Sequence, residues 1–382
     1  MAAAAVTVTI ASADEPGPRR AETYSTKTGA DHAVFVQGNE LKGNSIHVFR
    51  RAEDGKLTAA GRYATGGKGG DQVDAPTDSL ASQGSLVYDD LSGMLIAVNA
   101  GSGTVTSFQV HGQKLTHRKV VGSGGDFPSS VAVYGRVAYL MNAGGAGSVQ
   151  GFIITREGLK PLAGSHRSLG LDNKKVPLFS SSPGQVAFTP DGRALVVTTK
   201  SANTIEVFPV GRDSLPARNA VVNKSAGMVP FAITFDRAGH MLVAEAAKST
   251  VSTYQLRPDG RLKVVQAPLP NGQVTLCWLE RAGNFFYGGN TGNSTVTGYR
   301  TDRHGRLKLT NAIGIATPPS AKSQGVIDLA VTRDQRFLYV QNATSGTVDG
   351  FRVGGNGSLT KVTTTTGLPS FAGSGMEGIT AV

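Results

Sequence analysis

The sequence predicts an all-β protein, a seven-bladed β-propeller built from four-stranded antiparallel blades, and three observations carry that reading. The first is a recurring strand signature: a small polar residue, then an apolar one, then an aromatic three positions further on. It occurs as Ser45-Ile46…Phe49, Thr104-Val105…Phe108, Ser148-Val149…Phe152, Thr204-Ile205…Phe208, Thr250-Val251…Tyr254, Thr295-Val296…Tyr299 and Thr347-Val348…Phe351. The second is the spacing of those aromatics, 59, 44, 56, 46, 45 and 52 residues, which suits one blade plus loop insertions. The third is the unit from Gln83 to Pro128. It reads as four short strands, at Ser85–Tyr88, Met94–Asn99, Thr104–Val110 and Leu115–Val121, joined by turn-forming stretches and interrupted by no helix-period segment.

Taken in order, residues 1–28 are expected to lie outside the fold and 29–382 to form one domain, because the repeat leaves no room for a second. Ala11-Ser12-Ala13 closes a short apolar run in the manner of a secretory signal tail whose basic beginning is missing. The alternative is an Ala-rich terminus with no targeting role and a cytoplasmic protein. Blade 1 has three strands, His32–Gln37, Ser45–Arg50 and Leu57–Tyr63. Its missing inner strand is expected from Met376–Val382, which would close the ring and remove two sheet edges. The remaining blades begin near Ser85, Ser130, Gln185, Phe231, Gln273 and Gly325. The aspartates of the first hairpin turns (Asp191, Asp236, Asp334) read as turn formers.

Composition narrows function. The formal charge is +11, but Lys and Arg are scattered, with no long basic run and no aromatic-rich basic strand, so a nucleic-acid partner is not expected. The positive balance favours an anionic small-molecule substrate by steering. No apolar stretch approaches the length of a membrane span. Cys277 is the only cysteine, which excludes an intrachain disulfide and a multi-thiolate metal site. No zinc spacing, phosphate loop or dinucleotide fingerprint stands in context, and no metal or cofactor is expected. Oligomeric state is left open.

Four long interblade connections, 66–82, 167–184, 310–324 and 363–375, gather on one rim, where binding is expected. First strands start there and second strands end there. The first set gives Gln83, Gln185, Phe231, Gln273 and Gln324 as binding candidates, and the second gives Asn99, Asn142, Asn290 and Asn342. These amides either hydrogen-bond a polar ligand or organise the following turn. Glu245 ends the apolar strand Leu242-Val243-Ala244, where burial would suit it to acid–base work. Lys200 stands at the matching place in the neighbouring blade and would bind negative charge or pair with Glu245. His166 lies at the root of a long loop near the expected mouth, whereas His111, His240 and His304 fall in turns on the opposite face.

The segments Ser82-Gln83-Gly84-Ser85-Leu86, Ala97-Val98-Asn99-Ala100-Gly101-Ser102, Pro183-Gly184-Gln185-Val186-Ala187-Phe188-Thr189-Pro190-Asp191-Gly192 and Gly350-Phe351-Arg352-Val353 resemble the lactonase family of seven-bladed propellers. That family includes the propeller phosphogluconolactonases and carboxymuconate cyclases. The resemblance covers about residues 30–382. It implies action on a small lactone or cyclisable acid by hydrolysis, lactonisation or isomerisation. It also implies a Pro-His pair, an arginine and a glutamate: Glu245 matches the glutamate, Gly184-Gln185 follow Pro183 where histidine would stand, and Thr204 stands for the arginine. Two alternatives remain open. One is a propeller that binds a small molecule or protein without chemistry. The other is a cyclase of a specialised pathway that folds its substrate in the channel mouth.

Overall fold

The computed structural model describes residues 32–373 and 375–382, so the signal-like segment around Ala11–Ala13 lies outside the described residues. Seven antiparallel sheets are arranged as blades. In blade 2 the strands Leu86–Asp89, Met94–Asn99, Thr104–His111 and Lys114–Gly122 run from the axis outward in chain order, and each later blade repeats that meander. Blade 3 departs slightly: its outer strand is broken in two, Gly158–Pro161 and Arg167–Ser168, both paired to Ser148–Thr155.

Burial explains the sequence pattern. Second strands such as Met94–Asn99 and Phe337–Asn342 are buried at every position because a neighbouring blade covers each face, so they read as continuous rather than alternating runs. Outer strands such as Leu57–Ala64 are mostly exposed. The recurrent aromatics Phe49, Phe108, Phe152, Phe208, Tyr254, Tyr299 and Phe351 are all buried and fill the interblade core. Hairpin aspartates act as turn formers: Thr189 donates its hydroxyl to Asp191 at 2.7 Å, Thr332 does so to Asp334 at 2.6 Å, and Asp236 accepts the Ala238 and His240 amides.

The ring closes as expected. Glu377–Ala381 is the inner strand of blade 1 and pairs antiparallel with Ala33–Gln37. Adjacent blades are further tied by tyrosines on second strands. Tyr139 donates to the Ser214 carbonyl (2.8 Å), Tyr287 to that of Gly357 (3.0 Å) and Tyr339 to that of Gly55 (2.7 Å), each across a blade boundary.

Candidate functional site: the central channel

The long connections do gather on one rim, but the first of them closes it. Residues 72–82 dip into the ring, and Asp78, Ser79, Leu80, Ala81 and Ser82 are all buried. The Leu80 amide donates to Glu377 of blade 1 (3.1 Å), Ser82 donates to the Ser129 carbonyl of blade 3 (2.7 Å) and accepts from the Trp278 indole of blade 6. The connection 167–184 buttresses it. The Val73 amide donates to the Pro177 carbonyl, the Val73 carbonyl accepts from the Phe179 amide, and Ser182 donates to Gln72. A plug held by blades 1, 3 and 6 is a fixed part of the fold.

Lys200 lies beneath this plug rather than in an open mouth. It is almost wholly buried, donates to the Ala81 carbonyl at 3.1 Å, and sits over the rings of Phe179 (4.9 Å) and Phe231 (5.2 Å). Burial brings its ammonium down to about 8, with Asp78 acting to keep it charged. Asp78 and Glu377 are driven in the protonated direction, chiefly by burial; the hydrogen bond between them lowers Asp78 and raises Glu377. Cys277, also buried here, is held as a thiol by the same loss of water.

The expected Glu245–Lys200 pair does not form. Matching of strands explains why: Thr199 pairs with Thr204 as Glu245 pairs with Thr250, so Lys200 stands one residue beyond the equivalent place, and a one-residue offset points a side chain to the other side. Glu245, fully buried, receives hydrogen bonds from the Gly227 amide (2.8 Å) and the hydroxyls of Thr250 (2.6 Å), Ser225 and Tyr254 (both 3.3 Å). Its carboxylate lies so close to Gly227 that a Cβ there would meet Oε2 at 2.0 Å.

The asparagines show what Glu245 replaces. Asn99 donates to Thr104 and Thr106, Asn142 to Ser148, Asn290 to Thr295 and Thr297, and Asn342 to Thr347, each clasping the turn into the third strand. Glu245 clasps Thr250 in the same way with the donor reversed. The Asn set therefore organises turns instead of lining the channel. Glu245→Ala is expected to cost about 3 kcal/mol of stability, because four donors lose their acceptor at once. Denaturant titration would show it, and an unchanged midpoint accompanied by loss of activity would overturn the clasp assignment.

Of the remaining candidates, His166 is exposed at the outer edge of blade 3. Gln273 binds the carbonyls of Asn271 and Ile313, and Gln324 those of Ser320 and the Ser294 hydroxyl, in peripheral loops. Phe231 packs edge-on against Trp278 in the core. Gln83 and Gln185 do face the axis. Gln83 reaches across the ring from blade 2 to blade 6, where its amide donates to the Leu279 carbonyl (3.2 Å) and accepts from the Leu279 amide (3.0 Å). Gln185 accepts from the Ile233 amide at 2.6 Å.

Beside these two glutamines lies a cavity of about 240 Å³ on the ring axis, lined by Glu280, Asp328, Val131, Leu329 and Ile379 among others. Glu280 accepts from the Gln83 amide at 3.3 Å, and burial pushes its carboxyl up to about 7. Asp328 accepts the Leu329 (2.9 Å) and Ile379 (3.3 Å) amides, yet burial first and the charge of Glu280 second hold it well above the usual carboxylate range. Access is from the unplugged side. Upper strand ends such as Ser129, Leu276 and Val326 are buried, while Val87, Phe188, Phe235, Arg281 and Val331, further along the same inner strands, are part-exposed. The expectation of a loop-bearing entrance is corrected accordingly. Glu280 and Asp328 were passed over in sequence because each lies inside an inner strand, with no motif around it. Their only signal was an acidic residue in a run of otherwise apolar axial positions.

No protein-family model matches the sequence, and no curated protein matches it. Among solved structures the chain is similar to a protein from Lactobacillus plantarum, at 16% identity over 90% of this chain and 98% of that one, with a TM-score of 0.69. It is also similar to the periplasmic gluconolactonase PpgL of Pseudomonas aeruginosa, at 17% identity over 88% and 98%, with a TM-score of 0.65. Likeness at this level establishes the fold, and it agrees with the propeller resemblance read from sequence.

Proposed function

We propose that the chain is a lactonase-like hydrolase that opens a small, uncharged lactone in the central channel, with Glu280 and Asp328 as its acid–base pair. The observation that carries this is their placement: two carboxyls of unlike environment share one cavity, one poised near neutrality and the other kept protonated. In this scheme ionised Glu280 takes a proton from water as the oxygen attacks the lactone carbonyl. Protonated Asp328 donates a hydrogen bond to the carbonyl oxygen as it gains charge. The ring C–O bond then breaks and Glu280 returns its proton to the leaving oxygen, giving a hydroxy acid. Ring closure of a hydroxy acid follows the same path in reverse.

Charge within the channel argues for a neutral substrate rather than the anionic one that net charge suggested. Every ionisable group lining the cavity is a carboxyl, and Lys200 is sealed under the plug. The acid product would be repelled as it ionises, which favours its release. A cavity of about 240 Å³ also suits a small ring better than a large substrate folded for cyclisation.

A second reading, ligand binding without chemistry, is favoured by the Gln83–Leu279 amide pairing that spans and narrows the channel. One experiment separates the two. In a titrimetric assay over a panel of neutral five- and six-membered lactones, Glu280→Gln should lower kcat by about 100-fold while calorimetric affinity is kept. Undiminished turnover would remove Glu280 from the mechanism, and binding without turnover in the unmodified protein would select the second reading.

A further inference from the structure

Blades 6 and 7 form a second cavity, of about 290 Å³, that shares no lining residue with the axial cavity and is roofed by the connection 310–324. Its apolar lining includes Val296, Val326, Val340, Phe351 and Leu359 with the roof residue Ala316, and Asp349 and Lys361 stand among the polar residues at its wall. Two buried polar atoms at this cavity have no hydrogen-bond partner: Oδ1 of Asn342, 1% exposed, and Oγ of Ser323, 5% exposed. A buried unpaired acceptor is costly in a native protein, so it marks a place where a partner belongs.

Comparison of blades shows how the acceptor came to be free. Asn99 of blade 2 has its Oδ1 satisfied by Asn44, which immediately precedes the third strand of blade 1. The residue immediately preceding the third strand of blade 6 is Ser294. That shorter side chain donates to Gln324 instead, and Asn342 is left without the corresponding donor. Asn142 of blade 3 also has an unpaired Oδ1, but Gly125 packs directly on its side chain, where even a Cβ would approach within 2.8 Å. At Asn342 the space is large enough for a ring.

We propose that this cavity is a binding site for a small, uncharged, mainly apolar cyclic molecule bearing one N–H or O–H donor, which Asn342 accepts. Ser323 supplies a second polar contact at the roof. The carboxylate of Asp349 is already taken by Lys361 (2.9 Å) and Thr364 (2.7 Å), so the site gives no unpaired charge for an ionic ligand. The inference is independent of the hydrolase reading.

Indole and indene test it, since they share a shape and differ in the donor. By saturation-transfer NMR and calorimetry on the full chain, indole should bind with Kd below about 1 mM and indene at least tenfold more weakly, the difference expected when a buried acceptor is left unpaired. Ala316→Leu fills the cavity from its roof without altering a strand and should abolish indole binding, while Ser323→Ala should weaken it severalfold. Equal affinity for the two probes, indole binding that survives Ala316→Leu, or no binding at 1 mM would each overturn the proposal, the last by leaving the acceptor to water alone.

Discussion

Deletion of Met376–Val382 should leave no cooperatively folded ring. The segment is the inner strand of blade 1, and its loss exposes Ala33–Gln37 as an unpaired edge facing the axis. Met376, Ile379, Ala381 and Val382 leave the core with it, and Glu377 leaves the plug without its amide acceptor. Burial of these apolar side chains is worth about 5 kcal/mol or more, which is comparable with the entire stability of a typical domain. Circular dichroism melting would register a broad transition or none. The loss should be partly repaired by adding a peptide of residues 376–382, because the missing strand need not be covalently attached to pair. A truncated chain melting at the full-length temperature would refute ring closure as the source of stability.

Lys200→Met should produce the second largest effect, about 3 kcal/mol of destabilisation at pH 7.5, since it removes the buried cation beside Asp78 and frees the Ala81 carbonyl. Its pH dependence gives the more specific check. Asp78, Glu377, Asp328 and Glu280 all have folded-state values raised above those of the unfolded chain, so the folded protein holds more protons than the unfolded one once pH exceeds about 4. Their contribution is fully present below the unfolded values and is lost as pH rises through the folded ones, with Glu280 reaching that point at about 7. The unmodified protein is therefore expected to melt higher at pH 5 than at pH 7.5. In Lys200→Met the gap should widen, because Asp78 can no longer ionise beside a counter-charge. A gap that narrows would mean that Lys200 does not support an ionised Asp78.

Fold and site were legible to different degrees for a physical reason. Blade number, turn chemistry and closure by the C-terminal strand are written in local patterns: the Thr-Val…aromatic strands, the Asp-bearing hairpins, and the likeness of Met376–Val382 to other inner strands. The site depends on contacts between residues far apart in sequence. Gln83 meets Leu279 across 196 positions and Leu80 meets Glu377 across 297, which no spacing rule encodes. Glu245 drew notice because an acidic residue breaks the row of asparagines, yet the same break is explained by a carboxylate accepting where an amide donates. Glu280 and Asp328 break a row as well, but theirs faces the axis.

The tyrosine ties are one of several kinds of side-chain hydrogen bond that join neighbouring blades. Joints 3–4, 6–7 and 7–1 each carry a hydroxyl latch, and the strand pairing that closes the ring lies inside blade 1, just beyond the last of these latches. The other joints carry side-chain ties of a different kind: Asn44 donates to Asn99 between blades 1 and 2, Ser130 to the Gln83 carbonyl between 2 and 3, the Ile233 amide to Gln185 between 4 and 5, and Asn271 to Asn290 between 5 and 6. Every joint is therefore held by at least one side-chain hydrogen bond, and one must break before any two neighbouring panels part. The walls that carry Gln83 and Asp328 are both held by such bonds, and Gln83 adds a further tie straight across the ring, from blade 2 to blade 6.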